Sequence, residues 1–355
     1  MEISNPYIFI FSFLIIAGLI FSTPVFSYID RNTEKQTKHN VPLDSLRYFL
    51  ASFVFIAHSI GIYDYVLHGT FRSKYEEINM LAKVGVALFF SITGALFWAK
   101  IKKGNTNWVG LYKSRFFRIV PLIWFNSLII CTIIIFITKE VPTRKIYDWF
   151  DFINNNRPDF STLNGTWIFT GGVFWTLVYE WGFYFALPIL SLFAKRSFEL
   201  STGLAFCLIY IGKTFMPSIP LHYLMFFVIG MLADDISDKI TISKVQLNIL
   251  LSLSIVTLLY FMPYTNDVSS FSNILLFIII FSVYKGADLF GILSLRGFQR
   301  LGEASYSIYI MHALILYSVM KAAKFYDALI GNENVIFVSC YFLILLVSSV
   351  TYRFI

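Results

Sequence analysis

Runs of about twenty apolar residues recur along this chain from residue 7 to its last residues, separated by short polar stretches. That recurrence decides the kind of fold. A bilayer interior gives a backbone N–H or C=O no partner outside its own helix, and one crossing takes about 20 residues. Of 355 residues, 57% are hydrophobic and 14% charged, and the mean hydropathy is +0.69. This composition excludes a disordered chain, a disulfide-stapled secreted domain and a collagen-like repeat. The expected fold class is all-α: a polytopic integral membrane helical bundle of about eleven transmembrane helices. The spans are placed near 7–28, 46–64, 83–99, 119–138, 173–194, 200–212, 220–233, 245–263, 272–285, 304–322 and 335–352. Cys131, Cys207 and Cys340 lie in apolar runs, with no CxxC pair and no His at ligand spacing. They are read as packing residues, and no metal site is expected.

The net charge of +7 comes from basic residues in the loops between spans and forms no continuous stripe, so nucleic acid is not an expected partner. Lys and Arg mark the cytoplasmic side of short loops. Summed over alternate loops, 17 fall in one set, which includes Lys100, Lys102, Lys103, Arg115, Arg118, Lys239, Lys285, Arg296 and Arg300. Ten fall in the other, and Arg47 in neither, which accounts for all 28. The expectation is an N-terminus outside and a C-terminus in the cytoplasm. The opening segment has Glu2 before its apolar run and Ser22, Thr23 and Pro24 at its end, so it reads as a retained helix rather than a signal peptide. The loop 139–172 faces outside on this reading. Its Asn154, Asn155, Asn156, Asp159, Asn164 and Trp167 suit sugar binding and equally suit plain turns.

Ionisable residues inside spans cost roughly 2.5–3.5 kcal/mol each, so their presence asks for a reason. Four stand out: Arg47 and His58 in the second span, Glu180 in the fifth and His312 in the tenth. Each is either a buried, paired structural group or part of a polar cavity. Eleven residues separate Arg47 from His58, which leaves a rotation of only about 20° and an axial offset of about 16 Å on a helix. One stripe thus carries a cation near the inner mouth and a proton acceptor farther out. Asp44, three residues before Arg47, offers a competing ion pair. Arg115 and Arg118 are also i and i+3, at the cytoplasmic start of the fourth span. They are either a positive-inside flank or an anion site, for which planar guanidinium groups suit phosphate. Glu180 sits among Trp175, Tyr179, Trp181 and Tyr184, as a buried acid or as the partner of a cation. Tyr306, Tyr309 and His312 make one polar stripe, and Gly85 and Gly94 of the third span read as packing positions.

These segments, in order, resemble the acyltransferase 3 family of integral membrane acyltransferases, in particular bacterial members that O-acetylate surface polysaccharides such as the lipopolysaccharide O-antigen. LDSLRYFLASFVFIAHS (43–59) is similar to the family's opening helix with Arg, ten residues, then His. GVALFFSITG (85–94) has Thr93 where Ser is usual. RFFRIVPLIW (115–124) resembles the Arg-x-x-Arg-x-x-Pro signature, FWTLVYEWGFY (174–184) the Trp-Ser-Leu-x-x-Glu segment, and LGEASYSIYIMH (301–312) the Ser-Tyr-Ser-x-Tyr-x-x-His segment. The resemblance covers 43–355 and implies a ten-helix acyltransferase domain there, preceded over 1–42 by an extra transmembrane helix and a basic linker. TYRFI (351–355) looks like the family's closing segment cut before its Glu, and no soluble domain is expected after the membrane part.

What the resemblance implies is transfer of an acetyl group from cytoplasmic acetyl-CoA to a hydroxyl of an extracytoplasmic glycan, in the bacterial inner membrane, with no metal. His58, Arg47 and Glu180 are then the catalytic residues. His58 is the general base or a transient acyl carrier, Arg47 guides the donor, and Glu180 orients His58 or the acceptor. Arg115 and Arg118 hold the CoA phosphates, and Trp175, Tyr309 and His312 line the acceptor path. The expected partners are the glycan, whether or not lipid-linked, and membrane lipid. A transporter or flippase for a lipid-linked glycan is the rival reading, since it too wants charge inside the membrane; a purely structural membrane subunit is the third. All of this requires a hydrated passage in which donor and acceptor meet.

Overall fold

The structure, a computed structural model, describes residues 6–30, 40–71, 75–140, 145–153, 157–159, 163–196, 198–204, 207, 222–264 and 270–355. Among them helix is the regular secondary structure, joined by turns and loops, with no strand. Six helices are long and apolar enough to cross a membrane: Val41–His68 (α2), Glu76–Lys102 (α3), Trp108–Thr138 (α4), Lys244–Phe261 (α8), Ser305–Phe325 (α11) and Glu333–Phe354 (α12). Shorter helices accompany them: Pro6–Phe21 (α1), Ile146–Phe150 (α5), Trp175–Ser191 (α6), His222–Ser237 (α7), Ser270–Tyr284 (α9) and Arg296–Glu303 (α10). The sixth expected span falls mostly outside the described residues, as do Arg31, Lys35, Lys38, Arg72, Lys74, Arg144 and Lys213 of the loop comparison. Of the three cysteines, Cys131 and Cys340 are buried and Cys207 is exposed, which corrects its reading as a packing residue.

The chain divides into two units, Met1–Ala82 with Asp288–Ile355, and Lys83–Ala287. In the first, α2 packs against α11 and α10, α12 against α11, and α1 against α10. Asn40 caps the start of α2, accepting from the Leu43 N–H. Gly69 ends the helix in the left-handed conformation at φ +74°, which costs an L side chain and not glycine. The polar sequence of the eight-residue α10, RGFQRLGE, lacks an apolar run and so gives no sign of a buried helix. It is nonetheless buried, for two reasons that lie in its glycines and its arginine. A Cβ on Gly297 would stand 1.8 Å from the Gly18 carbonyl oxygen, and one on Gly302 1.8 Å from that of Asp44, so both backbones approach closer than any side chain allows. Arg300, read from sequence as a loop cation, is only 6% exposed. Its Nη1 donates to the Phe21 and Thr23 carbonyls at 2.8 Å, closing the C-terminal end of α1. Its Nε and Nη2 donate to both oxygens of Asp30 at 2.9 Å. This bidentate pairing holds the Asp30 carboxyl below the usual carboxylate range despite the opposing effect of burial, with Arg296 adding to it. A carboxylate with a depressed folded value stabilises above the ordinary range and loses that contribution as pH falls through it, so this clamp is intact at neutral pH.

In the second unit α3 and α7 interlock. A Cβ on Gly94 would lie 2.1 Å from the Phe227 carbonyl oxygen, and one on Gly230 1.9 Å from that of Ser91. Ser91 Oγ donates to the Phe226 carbonyl at 2.9 Å across the same contact. Gly94 therefore has the packing role expected of it. At one end of this pair the buried Asp234 and Asp235 share Lys102, at 2.6 and 2.9 Å. Asp235 also accepts from Trp98 Nε1 and Ser201 Oγ, and Asp234 from the Tyr284 hydroxyl. Lys102, read as a simple flanking charge, is thus the cation of a buried network. Single removal of such a charge leaves carboxylates uncompensated, the costly case for buried ion pairs.

Candidate active site

His58 lies on α2 and His312 on α11, and the packing of these helices in the first unit brings the two rings together. His58 Nδ1 and His312 Nε2 are 3.0 Å apart, with ring centroids at 5.1 Å. His312 is fully buried, whereas His58 is partly exposed. His312 Nδ1 lies 2.8 Å from the Tyr309 carbonyl and 3.3 Å from that of Ile308. Tyr309 itself is nearly buried, its ring 6.2 Å from that of His312, so it presents this carbonyl to the site. Phe71, just beyond the Gly69 turn, packs edge-on to His58 at 5.7 Å. Gly61 makes room for it, since a Cβ there would come within 2.8 Å of that ring. His58 Nε2 has no hydrogen-bond partner among the described residues.

Arg47, three turns below His58 on α2, forms the ion pair with Asp44 that its spacing offered. Between the two levels the helix is pinned by hydroxyls. Ser52 Oγ is 2.8 Å from the Tyr341 hydroxyl, Tyr341 donates to the Tyr48 hydroxyl at 2.9 Å, and Tyr48 donates to the Leu14 carbonyl at 2.9 Å. α1, α2 and α12 are thereby tied at the height of the Arg47–His58 stripe.

The second unit carries the other candidates. Glu180 accepts a hydrogen bond from the Tyr184 hydroxyl, one turn along α6, and the charges of both Arg115 and Arg118 reach that hydroxyl. Arg115 stacks on Phe97 with its guanidinium 5.2 Å from the ring centre, and Arg118 is exposed. Tyr112 of α4 donates to the Tyr184 carbonyl at 3.1 Å, which ties α4 to α6 at this level. An acid, a phenol and two guanidinium groups therefore share one region. Trp175 belongs to an aromatic group with Tyr223 at 4.5 Å and Tyr179 at 5.7 Å.

Three groups were not singled out from sequence. The His58–His312 pairing is invisible to spacing because 254 positions separate the residues. Tyr184 as the partner of Glu180 was within reach, at i and i+4. By sequence Arg157 is one charge of an outer loop. It is buried, donates to the Asp148 carbonyl at 2.6 Å and to that of Asp151, and stacks over Phe174 at 4.6 Å. Burial pulls its guanidinium down to about 10, with Asp151 and Asp148 holding it up. It organises part of the loop 139–172, whose composition suits sugar binding and plain turns equally. There, Asp159 is engaged by the Thr166 N–H, Asn164 is exposed, Trp167 partly so, and Asn154, Asn155 and Asn156 lie outside the described residues.

No group of three or more metal-ligating side chains occurs among the described residues. Neither the comparison with curated proteins nor that with solved structures returned a match. The acyltransferase 3 family model, described as an acyltransferase domain, matches residues 40–353, a stretch that contains every candidate residue above and begins one residue before α2. With its apolar helices and this match over most of its length, the chain belongs to the acyltransferase 3 family of membrane acyltransferases.

Proposed function

We propose that this protein moves an acetyl group from cytoplasmic acetyl-CoA to a hydroxyl of an extracytoplasmic glycan, such as a lipopolysaccharide O-antigen, in a bacterial inner membrane. The observation that carries the reading is the partly exposed His58 imidazole, held from behind by His312, with Nε2 unengaged. A group so placed accepts the proton of an alcohol as its oxygen attacks the thioester carbonyl. The C–O bond forms, the C–S bond breaks, and the proton taken by His58 passes to the departing CoA thiolate. No metal is needed for this sequence of steps.

Arg115 and Arg118 are proposed to bind the CoA phosphates. Arg118 is exposed, and both charges act in the region of Glu180 and Tyr184, which supports a polar rather than purely flanking role. Arg47 steers the anionic donor, in a balance with Asp44. Glu180 orients a reacting group, and Trp175 and Tyr309 border the acceptor. Lys102, Asp235, Tyr284 and Lys285 gather at the C-terminal ends of α3, α7 and α9. The loop charges place all three ends on the cytoplasmic side, and their sharing one network agrees with their lying on a single side of the membrane.

The deciding experiment compares surface glycans, by mass spectrometry and NMR, from cells with and without the protein. The expected result is one acetyl ester per repeating unit, present only with the protein; identical glycans in the two strains would sink the proposal. For the donor site, exchanging both Arg115 and Arg118 for alanine is expected to raise the KM for acetyl-CoA by at least about tenfold. That magnitude follows because charge-assisted hydrogen bonds are worth roughly 1.5–3 kcal/mol each. An unchanged KM would return the pair to the role of a topology flank.

A further inference from the structure

The contacts around the two imidazoles determine where their hydrogens lie. A neutral imidazole has one donor nitrogen and one acceptor nitrogen, and its partners decide which is which. His312 Nδ1 faces the Tyr309 carbonyl at 2.8 Å and the Ile308 carbonyl at 3.3 Å, and carbonyl oxygens only accept. The hydrogen of His312 therefore sits on Nδ1, and its Nε2 is an acceptor. The 3.0 Å contact with His58 Nδ1 then has one hydrogen available, the one on His58. His58 is left with a bare Nε2 lone pair on its partly exposed ring. The opposite arrangement requires a doubly protonated His312, a cation fully buried between apolar helices with no carboxylate among its hydrogen-bond partners in the described residues, and burial penalises that state heavily.

We propose that His312 is a positioning residue, not a lining residue of the acceptor path: it holds His58 in the Nδ1–H form so that Nε2 faces the reacting alcohol as a base. This rests on the reading of His58 as the proton acceptor. The logic is that of a base oriented by a third group, with an imidazole where other enzymes place a carboxylate. When Nε2 takes the alcohol's proton, the His58 Nδ1–H bond to His312 becomes charge-assisted and strengthens. His312 contributes no negative charge, so its loss is expected to cost less than the loss of a triad carboxylate, which is about 10⁴-fold.

The test uses the full-length protein in nanodiscs with ¹⁵N-labelled histidine. The sequence has five histidines, and the two signals are assigned by single variants. At neutral pH the expected spectrum shows His58 protonated at Nδ1 and bare at Nε2. In His312→Ala the His58 hydrogen moves to Nε2, the form an unconstrained imidazole favours. Turnover of acetyl-CoA with glycans extracted from the cells carrying the protein then falls roughly 10- to 100-fold in kcat, with the KM for acetyl-CoA unchanged. His312→Gln, whose amide oxygen takes the place of Nε2 as acceptor, restores the Nδ1–H form and part of the rate. A wild-type His58 already protonated at Nε2 overturns the proposal, as does a His312→Ala protein whose tautomer or kcat stays at the wild-type value. If the wild type transfers no acyl group while the spectrum is as expected, it is the reading of His58 as a base that fails, and the pairing geometry stands.

Discussion

Exchange of His58 for alanine is expected to remove about 10²–10⁴ of the acyl-transfer rate, the range that a positioned general base contributes. The same substitution leaves His312 Nε2 without its donor, at a cost of roughly 1–3 kcal/mol in a buried site. Loss of activity through poor folding must therefore be separated from loss of chemistry. His58→Gln serves that purpose, because its amide N–H can still donate to His312 while lacking a basic nitrogen. Both variants should accumulate in the membrane, the glutamine one at the wild-type level, and both should lack ester on the glycan. Glycan export in these cells is expected to continue. Export lost together with ester retained on residual glycan would point instead to a glycan transporter, and normal acetylation in His58→Gln would make the histidine structural.

The second large effect is expected at Gly230. A valine there places Cβ where only 1.9 Å separates it from the Ser91 carbonyl oxygen and 2.8 Å from the Ala95 nitrogen. Neither neighbour is the far end of a flexible side chain, so the helices α3 and α7 must part. Parting them also opens the reciprocal contact at Gly94 and breaks the bond from Ser91 to the Phe226 carbonyl. Overpacking alone costs typically 1–3 kcal/mol, and the lost hydrogen bond adds about 1 kcal/mol. Gly230→Val should therefore lower the thermal midpoint of the detergent-solubilised protein by several degrees and reduce the monodisperse fraction in size-exclusion chromatography. Gly182→Ala on α6 is the control, because nothing lies within 4 Å of its added Cβ, and it should leave both measures unchanged. Equal behaviour of the two variants would remove the close-approach argument.

The long helices were legible because lipid solvent enforces long uninterrupted apolar runs, and α2, α8, α11 and α12 lie within a few residues of where those runs predict them. Legibility failed where polar residues are buried by specific partners. Helix α10 carries arginines near both its start and its end and reads as a loop, yet Gly297, Gly302 and Arg300 seat it against α1 and α2. Asp234 and Asp235 follow directly on an apolar run and so pass as its polar boundary, although Lys102, Trp98 and Tyr284 make them interior. The candidate site divides the same way. Helical spacing exposed the stripe of Arg47 and His58 and the ion pair to Asp44, which are local relations. It said nothing of His312 standing behind His58, because that relation is set by how α2 packs on α11.

The discontinuity of the first unit bears on how the chain is made. Asp30 leaves the ribosome 270 residues ahead of the arginine that clasps it. At about 5–20 residues per second, that is a delay of roughly 15–50 s. Throughout it α1 and α2 wait without α10, α11 or α12, while the intervening segment from Lys83 to Ala287 is being made and is complete before the first of those closing helices appears. Translation that stops just after residue 287 thus releases a protein whose later-begun half has all its sequence and whose first-begun half has none of its closing helices, the kind of orphan that membrane proteases are suited to clear.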